Sequence, residues 1–127
     1  MFSHIMVGAD DVAKSKKFYD AALGALGIPE GFTDPKGRVF WRTKTGVFAI
    51  TKPIDGKPAS CANGGTIGFA AESVAAADAW HKAGLANGGT AIEDPPGVRE
   101  GAAGKLYLAY LRDPAGNKIC ATHRFPK

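Results

Sequence analysis

Over residues 2–9, FSHIMVGA, apolar side chains alternate with polar or small ones, a period of two that predicts a strand. Asp10 or Asp11 then offers an N-cap. Val12, Phe18, Tyr19, Ala22 and Leu23 recur at helical spacing, so an amphipathic helix is predicted through about Leu23. Gly24 and Gly27 close it, and Gly27-Ile28-Pro29 forces an extended segment. Asp34-Pro35-Lys36-Gly37 reads as a turn, and RVFWRT and GVFAIT as two strands joined tightly around Thr45-Gly46. From Pro53 to Gly65 the composition is that of a linker.

After the linker the pattern starts again. At an offset of 62, the segment from Thr66 lies beneath the segment from His4: Val74 falls under Val12, Trp80 under Phe18, Leu85 under Leu23 and Gly89 under Gly27. At an offset of 70, LRDPAGNKIC lies under WRTKTGVFAI, so that Arg112 meets Arg42, Gly116 meets Gly46 and Cys120 meets Ile50. The extra residues fall in EDPPGVREGAAG, a loop by composition. One unit of strand, helix and three strands therefore occurs twice. It predicts an α+β fold of two βαβββ modules in tandem, about 1–53 and about 64–127 with a linker at about 54–63, in one domain spanning 1–127. In the first strands Ile5 and Val7, and Ile67 and Phe69, point toward the core. His4, Met6 and Gly8, and Thr66, Gly68 and Ala70, take the other side. Those smaller residues suit a curved, cleft-enclosing mixed sheet.

A chain of 127 residues with 45% hydrophobic and 22% charged residues has the balance of a single soluble globular domain. No apolar run is long enough to span a bilayer, and the N-terminal stretch meets an Asp pair rather than a signal-peptide core; a cytoplasmic location is the expectation. The net charge is +4, and the basic cluster Lys14, Lys16 and Lys17 reads as a solvated helix face. Neither a nucleic-acid nor a membrane partner is expected. Two cysteines, Cys61 and Cys120, give no disulfide framework and no zinc-knuckle spacing.

The stretch RDPAGNKICATHR raises the question of a Cys–His site. Residues 120 and 123 are an odd number apart, so in a regular strand they face opposite sides, and Cys120 reads as a small cleft lining. His81 reads as a partly exposed helical histidine. The inserted segment is Gly-rich and Pro-stiffened, and its Arg99 suits an anionic substrate group. If Cys120 faces inward, the repeat turns Ile50 and Phe48 inward too, giving a pocket with an aromatic wall fit for an organic molecule.

The segments HIMVGADDVAKSKKFYDAALGALG and YLAYLRDPAGNKICATHR, with the repeat between them, resemble the vicinal oxygen chelate superfamily of glyoxalases, fosfomycin- and bleomycin-resistance proteins and extradiol dioxygenases. The resemblance implies a homodimer, sometimes with modules exchanged between chains. In its enzymes a divalent metal (zinc, nickel, manganese or iron) is held by His and Glu side chains in the cleft. The ligand positions carried over are His4, Ile50, Thr66 and Cys120. Ile50 cannot ligate, Thr66 stands where a second His is expected, and Cys120 where Glu is expected. Metal ligation by His4, with Cys120 as a partner, therefore stands beside metal-free roles, including His4 as a general base. Phe48, Thr66, Arg99 and Cys120 are the candidate ligand contacts. Two functions follow: a glyoxalase-like, lyase-type protein acting on a small oxygen-rich or electrophilic compound, or a metal-free binding and sequestration protein of the bleomycin-resistance type.

Overall fold

The structure, a computed structural model, describes residues 1–126. In the first half, β1 (His4–Gly8) leads into α1 (Val12–Gly24), followed by β2 (Phe32–Thr33), β3 (Val39–Thr43) and β4 (Gly46–Thr51). Asp11 caps α1 by accepting the Lys14 N–H at 3.0 Å. Ser15, Phe18, Tyr19, Ala22 and Leu23 form its buried stripe. The helix stops where Gly27 adopts φ 84°, letting the Ile28 N–H return to the Leu23 carbonyl. β1 pairs parallel with β4, and β4, β3 and β2 continue antiparallel, giving the order β1-β4-β3-β2.

The second half repeats this plan. β5 (Ile67–Ala70), α2 (Val74–Ala86), β6 (Thr90–Ala91), β7 (Gly97–Gly101), β8 (Gly104–Arg112) and β9 (Lys118–Arg124) build a sheet ordered β5-β9-β8-β6, with β7 also paired to β8. Ser73 caps α2, whose buried residues Ala77, Trp80 and Gly84 repeat Ser15, Phe18 and Ala22 of α1 at the offset of 62. Leu85, the counterpart of buried Leu23, is exposed. The inserted segment, expected as a loop, is instead a hairpin: β7 runs antiparallel to β8 from Gly97↔Leu108 to Gly101↔Gly104. Its glycines sit at the strand ends and Val98, Arg99 and Glu100 between them, a strand too short for composition to betray.

Each sheet has one face covered by its helix. Ile5, Val7, Phe48, Ile50, Val39 and Trp41 share the covered face of the first sheet by register. Ile67, Phe69, Ile119, Ala121, Leu111 and Ala109 share that of the second. α1 packs against α2, and Phe48 and Phe69 meet edge-to-face at 5.1 Å between centroids, so one core joins both halves. Each fully buried large side chain in it, such as Phe18 or Leu23, contributes about 1.5–3 kcal/mol. The opposite, open faces turn away from that core. No helix of the described residues is long and apolar enough to cross a membrane.

Candidate functional site

The open face of the second sheet is set by β5, β9 and β8. Gly68, Cys120 and Tyr110 form one row across it, and Ala70, Thr122 and Leu108 the next. Glycine at 68 leaves room for the thiol: a Cβ there would lie 3.2 Å from Cys120 Sγ. Cys120 is 6% exposed, its Sγ 3.5 Å from Thr122 Oγ1. Burial pushes its thiol up, outweighing the lowering by the Thr122 hydroxyl and Lys118, so it is a neutral thiol at neutral pH. Lys118 lies 5.1 Å over the Tyr110 ring and is paired with Glu93. Arg99 reaches from β7 to the carbonyls of Asp94 and Pro95 at 3.2 and 3.0 Å, clasping its own loop. Thr66 is exposed just before β5.

On the first sheet, His4, Val47 and Arg42 form one row of the open face, and Met6, Ala49, Phe40 and Phe32 the adjacent row. His4 is exposed, with Nδ1 2.7 Å from Ser3 Oγ. Phe40 lies between two guanidinium groups, those of Arg38 and Arg42, at 5.5 and 5.4 Å from its centroid. Met6 takes the side that alternation predicts, but that Phe40 and Phe32 join it follows only from the strand pairing: parity sets Phe40 opposite Trp41 without saying which of the two faces the core.

Of the candidate residues, His4 stands on the open face of one sheet and Cys120 on the open face of the other. Phe48 does not join them. It is 6% exposed in the shared core, stacked against Tyr19, Trp41 and Phe69. Ile50, expected opposite Cys120 in the repeat, is likewise fully buried on the covered face. The cause is one residue. Residues 43–46 separate the facing pair Arg42 and Val47, whereas 113–117 separate Arg112 and Lys118, so the second turn is longer by one. Beyond that turn Cys120 corresponds to Ala49, and every side chain moves to the other face. His123 faces away from Cys120, its Nδ1 3.0 Å from the Ala71 carbonyl, and His81 is half-buried on α2, where burial lowers its pKa.

The Asp-Pro-Ala-Gly-Asn turn also locks the halves together. Asp113 Oδ1 accepts the N–H groups of Ala115 and Asn117, both at 2.9 Å, and Gly116 takes φ 94°. Asp113 Oδ2 accepts from Tyr19 and from Asn117, and the Asn117 amide also donates to the Gly8 carbonyl at 3.1 Å. The end of β1 and the middle of α1 are thus fixed to the turn that launches Cys120.

The model of the Glyoxalase/Bleomycin resistance protein/Dioxygenase superfamily matches residues 1–121, and the chain belongs to this superfamily. A glyoxalase/bleomycin resistance protein from Albidiferax ferrireducens T118 is 62% identical; its crystal structure superposes with a TM-score of 0.95, over 98% of this chain and 99% of that one. More distant likenesses show the fold alone. A glyoxalase-related enzyme from Fulvimarina pelagi is 16% identical at TM-score 0.73, over 98% of this chain and 88% of that one. Lactoylglutathione lyase from Agrobacterium tumefaciens is 22% identical at TM-score 0.66, over 97% and 92%. No curated protein matches the chain.

The superfamily's enzymes imply a divalent metal, and the donor set does not fit one. At the corresponding positions stand one imidazole (His4), a methyl group (Ala49), a neutral hydroxyl (Thr66) and a thiol that burial keeps protonated (Cys120). No three His, Cys, Asp or Glu side chains among the described residues come together as a metal site.

Proposed function

We propose that the protein binds a small organic compound on the open faces of its sheets, in a cleft completed by a second copy of the chain, without using a metal. The row Gly68, Cys120 and Tyr110 carries this reading: a neutral thiol between a glycine and a phenol replaces the carboxylate that metal chemistry requires. A homodimer is supported by the open faces, which turn away from the one core, and by the apolar side chains Met6 and Phe32 that the first of them exposes. In this reading residues 1–127 act as one domain of two modules, about 1–53 and about 64–127. Two unpaired cysteines suit the cytoplasm.

A second reading, a lyase-type activity, rests on His4, an exposed imidazole held by Ser3 on the same open face and able to move a proton. Native mass spectrometry of tag-free protein tests the first. A dimer carrying a co-purified organic mass, retained in His4→Ala, supports binding without chemistry. A monomer with nothing bound overturns it, and turnover of the bound compound that stops in His4→Ala favours the second.

A further inference from the structure

We infer that the compound bound on the first sheet is an organic anion, its charge taken by Arg42 and its apolar body by Phe40 and Met6. This rests on the small-molecule reading above and adds the substrate class. Arg38 and Arg42 flank the same ring, but they are not equivalent. Arg38 is committed to Asp34, with Nη2 at 2.6 Å and Nε at 2.7 Å from Oδ2. Arg42 is exposed and has no carboxylate partner among the described residues; its guanidinium is held over the face of Phe40, which leaves its N–H edges free.

Next to that cation runs the apolar row Met6, Ala49, Phe40 and Phe32, in which Met6 and Phe32 are 37% and 64% exposed. Three strand spacings separate its ends, about 14 Å, enough for a one- or two-ring body. His4 stands in the Arg42 row two strands away, about 10 Å, and offers a second donor at the far side of the same platform. Asp34, directly after β2, is neutralised by Arg38, and Arg42 adds a positive charge with no carboxylate paired to it among the described residues, in keeping with a chain of net charge +4. A neutral ligand would gain nothing from the charge of Arg42, and a cationic one would be repelled by it.

The test is binding of a panel of aryl carboxylates and aryl phosphonates, each matched with its neutral amide, followed by amide-resolved nuclear magnetic resonance on wild type, Arg42→Gln and Arg42→Lys. The expected result is that the acids shift residues 4–6 and 38–49 and bind about tenfold or more tighter than their amides. Arg42→Gln should abolish that difference, and Arg42→Lys should restore part of it. Acids and amides that bind the open face equally, or an advantage untouched by Arg42→Gln, overturn this inference and leave the small-molecule reading standing. A panel that shifts neither open face overturns both.

Discussion

Tyr19 and Asp113 lie 94 residues apart in the chain and 2.6 Å apart in the fold, phenol to carboxylate, in a bond closed off from water. Burial first, and the facing carboxylate second, raise the Tyr19 pKa well above its usual value, so the phenol remains a donor at any working pH. Asp113 is 4% exposed and, among the described residues, forms no ion pair; hydrogen bonds satisfy it. Removing one of these donors leaves a buried charge short of a partner. Tyr19→Phe should cost about 1.5–3 kcal/mol, read as a lower denaturant midpoint at unchanged slope.

Phe48 and Phe40 should part company. Phe48→Ala opens the core between the modules and should cost about 3–5 kcal/mol. Phe40→Ala, on the open face, should leave the melting transition within about 1 kcal/mol and weaken ligand binding instead. Parallel melting and binding measurements on the two variants check the assignment of faces. The reverse pattern would put the site on the wrong side of the sheet.

That assignment marks where the sequence stopped being legible. Ile5 and Val7 against His4 and Met6 could be read by alternation within one strand, because parity needs no partner. The first helix was legible from its cap at Asp10 or Asp11 and its apolar stripe, and the second because its positions repeat those of the first at the offset of 62. The final hairpins were not, because aligning Gly46 with Gly116 hides one extra residue in the turn at 113–117. A register slip of one changes nothing in hydropathy at Ile50 and Cys120, yet reverses both faces. Nor could the partner of the Asp113 turn be read, since no local rule joins a turn to a helix so distant in sequence.

The two cysteines should react at different rates. Cys61 is exposed, while Cys120 is buried with its thiol pushed up by desolvation. At pH 8 iodoacetamide should modify Cys61 at least about tenfold faster, measured by peptide mass spectrometry. Faster labelling of Cys120 would mean a poised thiolate and contradict its role as a passive lining.

Asp20 gives the fold part of its acid sensitivity. It joins α1 to the start of the first sheet by accepting from Gly31 N–H at 2.8 Å and the Trp41 indole at 3.0 Å, and it pairs with Lys16 at 2.7 Å. Burial pushes its pKa up, but the Gly31 N–H, Lys16 and Trp41 together hold it below the usual carboxylate value. A folded-state pKa below the unfolded one gives stability that is complete above the unfolded value, about 3.9, and lost as pH falls through the folded value. Asp20→Asn should cost about 1–2 kcal/mol at pH 7, a difference that shrinks below about pH 4. Chemical denaturation at a series of pH values checks it.

Calorimetric titration of tag-free protein with zinc, nickel, manganese and ferrous ions, alongside elemental analysis of the protein as purified, decides whether the protein works without a metal. With an imidazole, a methyl group, a hydroxyl and a protonated thiol at the four positions, no stoichiometric metal and no tight site are expected. One equivalent of metal per chain, lost in His4→Ala, would contradict the account and return the protein to the metal-dependent chemistry of its superfamily.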